Sequence, residues 1–331
     1  MKERAPCSAA PFALLLAGCG GAQSTLDPAG EGAERIAVLF WQMSAGALVI
    51  WLVVVALTLF ALFREPGPER AARYGRWMIW GGGVIVPTVL LAGLLSYGLL
   101  MLPGLLAAAP PGSPQVEIIG EQYFWRVRYR SPEPGGADIE LANELRLPRG
   151  VDTQLQLASR DVIHSFWVPA LGGKMDMIPG RVTQLRLRPT RSGVLRGVCA
   201  EYCGTSHAFM ALAVVVLEPA DFARWLAAEA RPARTPNEGL AAQGAELFAQ
   251  HGCGACHSVR GTSARGVVGP DLTHVGSRHT LGAGLLGNDA KQFEHFLTNI
   301  EDIKPGTSMP HFAMLPAAER AALGAYLEAL Q

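Results

Sequence analysis

Two apolar runs constrain this 331-residue chain more than any other feature. Residues 36–63 carry no charged side chain, and a second run covers about residues 77–106. Each exceeds the roughly 20 residues that a helix needs to cross a bilayer. The sequence therefore predicts a transmembrane helix hairpin over residues 35–107. Pro87 falls inside the second run, where membrane helices tolerate proline better than soluble ones. Between the runs stand Arg64, Arg70, Arg73 and Arg76, and a short basic connector faces the cytoplasm. Everything after about residue 107 then lies on the outer side, the periplasm of a Gram-negative cell.

The beginning of the chain points to the same topology independently. Lys2 and Arg4 precede an apolar stretch at residues 12–17, the pattern of a secretory leader. Leu16-Ala17-Gly18-Cys19 resembles the lipobox of bacterial lipoproteins. That resemblance makes residues 1–19 a lipoprotein-type signal peptide, with the lipid on Cys19 and Cys7 removed with the leader. The formal net charge is zero, so no basic surface calls for nucleic acid. Beyond the leader the cysteines fall into two close pairs, Cys199 with Cys203 and Cys253 with Cys256. Close pairs read as metal or cofactor sites and not as a disulfide framework.

After a linker rich in Ala, Pro and Gly at residues 107–114, the hydrophobic period shortens. Residues 123–130 alternate, with Trp125, Val127 and Tyr129 on one side and Phe124 on the other. Leu155 and Leu157 share a side, as do Leu185 and Leu187, and residues 211–217 form a continuous apolar strand. Short strands separated by Pro and Gly clusters predict an all-β sandwich or small barrel over residues 115–220. Residues 221–230 read as a short closing helix.

The metal constellation is Cys199-Ala200-Glu201-Tyr202-Cys203-Gly204-Thr205-Ser206-His207-Ala208-Phe209-Met210. It offers two thiolates, an imidazole and a thioether within one compact loop. Soft sulfur ligands with imidazole select copper. One such ion needs a single thiolate, so the second cysteine suggests a second metal with both sulfurs bridging. Taken alone, the cysteine pair would equally read as zinc or a disulfide. His164, within Asp161-Val162-Ile163-His164-Ser165-Phe166-Trp167-Val168-Pro169, is the candidate second imidazole and is expected between strands.

Cys-x-Glu-x-Cys-x-x-x-His-x-x-Met, with His-Ser-x-x-Val-Pro upstream, resembles the dinuclear copper A site of cytochrome oxidase subunit II. The segment from Gly172 to Gly180, the motif Gly120-x-Gln122-x-x-Trp125 and the helix hairpin are similar to that family too, over roughly residues 35–220. The resemblance implies a cupredoxin-like Greek-key domain with copper ligands His164, Cys199, Glu201, Cys203, His207 and Met210. Glu201 would ligate through its backbone carbonyl, and its side chain would reach a magnesium at the interface with subunit I. Asp176 reads either as a loop carboxylate or as part of that interface network. Three positions depart from the family. Tyr123 replaces the tryptophan through which electrons usually enter, Arg160 replaces an acid before Asp161, and the second membrane helix lacks the glutamate that often serves proton uptake.

A further linker is expected at residues 230–235, followed by an all-α domain over residues 236–331. Residues 238–250 have helical spacing, with Leu240, Leu247 and Phe248 as packing residues. They lead into Cys253-Gly254-Ala255-Cys256-His257, the heme c attachment pattern, whose alternatives are a zinc pair or a redox dithiol. Val268-Gly269-Pro270-Asp271-Leu272 resembles the class I cytochrome c loop that packs on the proximal histidine. Lys304-Pro305-Gly306-Thr307-Ser308-Met309-Pro310 resembles the loop that supplies the distal methionine. The resemblance implies heme thioethers at Cys253 and Cys256 and axial ligands His257 and Met309, a pairing that raises the iron potential. Met314 is the competing sulfur, and His274, His279, His295 and His311 read as surface or structural histidines.

Together these resemblances imply subunit II of a terminal cytochrome c oxidase, an oxidoreductase whose oxygen site lies on a partner. Electrons would pass from heme c through copper A to subunit I, with proton translocation there. Subunit III would complete the complex, and a periplasmic cytochrome c or bc-type complex would be the donor. The alternative is a membrane-anchored relay serving another periplasmic reductase. Fusion of the cytochrome would raise its effective concentration near the copper.

Overall fold

The computed structural model describes residues 20–63, 67–133 and 135–331. The leader with Cys7 and Cys19 lies outside the described residues, as does Arg64.

Residues 35–107 form a compact unit of their own. Helix α1 (Glu31–Phe63) is unbroken. The second apolar segment starts earlier than its hydropathy suggests. Helix α2 (Pro68–Trp77) carries Arg70, Arg73 and Arg76, so these arginines sit on a helical turn and not in a loop. The local signals explain this. Pro68 occupies the first turn, where its missing N–H costs nothing, Glu69 complements the helix dipole there, and Arg76 complements it in the last turn. Helix α2 runs through a π-helical stretch (Met78–Ile85) into α3 (Val86–Leu106). The wider turn suits Gly81, Gly82 and Gly83 and leads into Pro87, which has no N–H to give. Thr88 Oγ1 donates to the Val84 carbonyl at 2.7 Å, so a backbone acceptor beside the proline is satisfied. The two helical segments, Glu31–Phe63 and Pro68–Leu106, are long and apolar enough to span a membrane.

The other unit holds a β-sandwich and a helical domain. The strands are β1 (Gln115–Glu121), β2 (Phe124–Tyr129), β3 (Ile139–Ala142), β4 (Glu144–Pro148) and β5 (Thr153–Ser159). They continue with β6 (His164–Trp167), β7 (Met175–Met177), β8 (Thr183–Leu187), β9 (Gly193–Cys199) and β10 (Ala211–Leu217). One sheet has the order β3-β2-β1-β5-β8 and the other β4-β10-β9-β6-β7. The alternation in β2 works as expected: Trp125, Val127 and Tyr129 enter the core with Ile118, Leu155, Leu157, Phe166 and Leu212. Arg126, on the opposite face of β2, is nevertheless only 1% exposed. Helix α4 (Pro219–Glu229) closes the sandwich, with Phe222 and Trp225 against Tyr129.

The helical domain is built from α5 (Gly239–Gln250), α6 (Ala290–Ile303) and α7 (Ala317–Ala329). Phe248 meets Tyr326 edge-on at 5.4 Å, and Val259, Phe293, Leu297, Leu323 and Leu327 fill the space around them. Leu240 is not a packing residue. It is 49% exposed at the first turn of α5, and Leu247 and Phe248 face the core instead. Residues 230–235 do not hang free as a linker either. Ala233 packs on the helical core and donates its N–H to Arg260 O at 2.9 Å, while the Arg231 carbonyl is 3.0 Å from His274 Nε2.

The two domains are joined by direct bonds. The His279 N–H donates to the buried Glu144 carboxylate at 2.8 Å, and the Ala211 N–H donates to Ala283 O at 3.2 Å. Arg196 donates to Gly284 O at 3.2 Å, and Ser206 Oγ donates to Pro305 O at 2.6 Å. Ala283 sits at φ 66° between two left-handed glycines, which brings its carbonyl to the strand edge just after Met210. The cytochrome-like domain is thus seated on the sandwich and not merely tethered to it.

At the crossing of α5 and α7, a Cβ on Gly244 would lie 2.0 Å from Ala322 O. Gly244→Val should therefore force the helices apart at a cost of about 3 kcal/mol. A clear fall in the thermal unfolding midpoint of the purified chain is expected; an unchanged midpoint would contradict this packing.

Candidate metal centres

The sequence-expected copper residues come from three places in the sandwich. His164 opens β6, not a loop between strands, because the bond pairs with Met177 of β7 continue through it. Cys199 ends β9 beside Phe166 of β6. Residues 200–210 then form a loop with a short 3₁₀ turn (His207–Phe209). The donor atoms of His164, Cys199 and Cys203 lie within 4.8 Å of one another, and all three residues are buried. Cys199 Sγ is 3.9 Å from Cys203 Sγ, 3.8 Å from His164 Nδ1 and 3.1 Å from the Glu201 carbonyl oxygen. Cys203 Sγ is 3.6 Å from His207 Nδ1 and 3.9 Å from Met210 Sδ. Two thiols, two imidazoles, a thioether and a carbonyl are more donors than one tetrahedral zinc takes, and their softness suits a pair of copper ions.

The surroundings orient this donor set. Asp161 lies 2.8 Å from His164 Nε2. It thereby turns Nδ1 toward the sulfurs, the usual arrangement of a carboxylate behind a metal-binding imidazole. The same carboxylate accepts the Gln122 N–H at 2.7 Å. The Cys203 thiol, together with the His164 ring and backbone groups of Ser165 and Glu201, holds Cys199 well below the usual thiol range. Donation to Cys199 and burial push Cys203 the other way. Gly204 (φ 125°) has no room for a side chain, since a Cβ would lie 2.5 Å from Tyr123 Oη. Tyr123 is 5% exposed and accepts the Thr205 N–H at 3.0 Å. Glu201 keeps an exposed carboxylate 4.0 Å from Lys174 Nζ, and Asp176 accepts from Ser165 Oγ at 2.7 Å.

In the helical domain, Cys253 and Cys256 flank a 3₁₀ turn (Cys253–Ala255), and the His257 N–H donates to Cys253 O at 3.0 Å. The His257 Nδ1–H donates to Pro270 O at 2.8 Å, which leaves Nε2 free for a metal. Burial disfavours the imidazolium of His257 and keeps the ring neutral, the form that ligates. The 267–270 loop lies flat on this ring: a Cβ on Gly269 would be 2.5 Å from it. Cys253, Leu272 and Met309 all pack on the domain core, whereas Met314 is 68% exposed and away from it. Cysteines, a fixed neutral imidazole and a core-facing thioether suit heme c. Sequence reasoning missed Arg126 and the cross-domain bond of Ser206, since no periodicity marks a residue whose partner lies in another domain.

The profile described as the cytochrome C oxidase subunit II periplasmic domain matches residues 131–217, and that of cytochrome c matches residues 241–331. Cytochrome c oxidase subunit 2 of Alkalihalophilus pseudofirmus is 30% identical over 336 residues, covering 96% of this chain and 94% of its own length. The protein of the same name from Bacillus subtilis is 29% identical, covering 96% and 95%. Among solved structures, the periplasmic domain of subunit II of cytochrome oxidase of Bradyrhizobium japonicum is 31% identical, covering 37% of this chain and 96% of its own, with a TM-score of 0.33. With its copper A and heme c domains on one polypeptide, this chain belongs to the cytochrome c oxidase subunit 2 family.

Proposed function

We propose that this subunit passes electrons from heme c to copper A and on to subunit I, where oxygen is reduced to water with proton translocation. When bound, the heme and the copper pair supply one-electron carriers that need little rearrangement. Cys253, Cys256, His257 and Met309 would hold the heme. His164, Cys199, Cys203, His207, Met210 and the Glu201 carbonyl would hold the coppers. The contact between the two ligand-bearing loops is the observation that carries this reading. Ser206, beside His207, donates to the carbonyl of Pro305 in the segment that ends at Met309. Gly306 of that segment lies against Thr205 and Tyr123. Tyr123, standing where the family usually has its tryptophan, is thus covered by the chain's own cytochrome and closed to an external one. A separate periplasmic cytochrome c or bc-type complex would then deliver electrons to heme c.

The remaining assignments follow the same reading. The two apolar helices anchor the chain in the membrane as a hairpin, with residues 108–331 on the periplasmic side. Residues 1–19 would be a lipoprotein signal and Cys19 the lipidated residue, adding a second attachment to membrane lipid. The exposed Glu201 carboxylate, with Asp176 nearby through Lys174, would face a magnesium at the subunit I interface. The domain limits we propose are 35–107 for the hairpin, 115–220 for the copper domain and 236–331 for the cytochrome. Subunit III is the further partner we expect.

Reduced-minus-oxidised spectra and low-temperature EPR of the affinity-purified native complex test this function. The expected result is heme c bands together with bands of a partner-subunit heme, and a mixed-valence copper signal that Cys199→Ser abolishes while heme c remains. Heme c and copper without any partner heme would instead establish a free relay module. The hydrogen bond behind His164 gives a narrower prediction. Asp161→Ala should weaken copper binding about 10–100-fold, read by competition with a chelator; unchanged affinity would remove Asp161 from the site.

A further inference from the structure

Arg126 is a buried charge that neither metal centre accounts for. Its Nε donates to Glu121 Oε1 at 2.7 Å, its Nη2 reaches Glu121 Oε2 at 3.3 Å, and its Nη1 donates to Glu140. Its remaining bonds cross into the cytochrome domain. Nη2 donates to the carbonyls of Val267 at 3.1 Å and Gly269 at 3.4 Å. This is the loop that lies on His257, and the next carbonyl, that of Pro270, accepts from His257 Nδ1. The Gly269 carbonyl belongs to the peptide that begins Pro270. The guanidinium therefore grips one end of the unit whose other end orients the imidazole.

We propose that Arg126, a residue of the copper domain, is a positioning residue for heme c that clamps the 267–270 loop and helps to set the iron potential. The inference rests on the reading of His257 as an axial ligand. A planar guanidinium can hold carboxylates and carbonyls at once in fixed directions, which a lysine ammonium does not reproduce. The hydrogen bond on the far nitrogen of a ligating histidine tunes the metal. Burial opposes the charge of Arg126, but its bonds to Glu121 and Glu140 keep it protonated. A fixed cation favours the reduced iron, which is one charge less positive, and Glu121 and Glu140 act with the opposite sign. The copper domain would in this way adjust the potential of the carrier that feeds it.

Spectroelectrochemical titration of the full chain, following heme c and copper A in one sample, tests the charge. Arg126→Gln should lower the heme c midpoint and leave copper A unmoved, and Glu121→Gln should raise the heme c midpoint. An unchanged heme c midpoint in the variants, or equal shifts at both centres, would overturn the proposal. Should Arg126→Gln fail to accumulate, Glu121→Gln decides by the same criterion. NMR of the ferric protein tests the clamp. Arg126→Lys keeps the charge but loses the fork, so the hyperfine-shifted His257 signals should move; unmoved signals would overturn the positioning role. A His257→Met variant with an unaltered axial-ligand spectrum would instead overturn the ligand assignment beneath the inference.

Discussion

Electron transfer between two groups on one chain depends on how firmly the loops that hold them are kept together. Here the loops touch. Ser206 is fully buried and spends its hydroxyl on the carbonyl of Pro305, so the segment carrying His207 and the segment carrying Met309 share a hydrogen bond. Tyr123 lies beneath both, holding the Thr205 N–H and touching Gly306. A cytochrome held only by a flexible linker would sample many orientations, most of them unproductive. Contacts at Glu144, Arg146, Arg196 and Ala211 restrict this one to a single seat.

The seat is held by polar contacts, and that has energetic consequences. Buried charge is tolerated only where it is paired and hydrogen-bonded. Arg126 meets this condition through Glu121, Glu140 and backbone carbonyls, and Glu144 meets it through Arg146 and the His279 N–H. Removing one member leaves its partners buried and unpaired, so the interface discriminates strongly between right and wrong docking. Apolar packing at the same place would adhere but would fix the orientation less. This polar seat also gives the copper domain a direct hold on the 267–270 loop that accepts from His257.

Much of this was legible in the sequence where chemistry is local. The hairpin followed from uncharged length, the sandwich from Trp125, Val127 and Tyr129 alternating against turn residues, and the cofactor classes from close cysteine pairs with histidine and methionine in register. What could not be read were relations across domains. Arg126 sits on the outer face of β2, where alternation promises solvent, yet it is buried and bonded both to Glu121 and Glu140 and to carbonyls of the cytochrome. Residues 230–235 have the composition of a linker, yet Ala233 and Arg231 are held against the cytochrome. Arginines 70, 73 and 76 suggested a loop by charge, while Pro68 and Glu69 had already set the start of a helix. Leu240 had the right spacing but fell on the exposed side of the first turn.

The central claim is that the cytochrome is docked on the copper loop and not tethered near it. Its most direct test is the rate of electron transfer from heme c to copper A after flash reduction of the heme in the full chain, measured as ionic strength rises. From about 0.01 M to about 1 M salt the Debye length falls from about 30 Å to about 3 Å. A docked domain predicts one first-order rate that stays constant across this range and on dilution. A rate that falls steeply with salt would mean that the cytochrome searches for its site at each turnover, and would contradict the account.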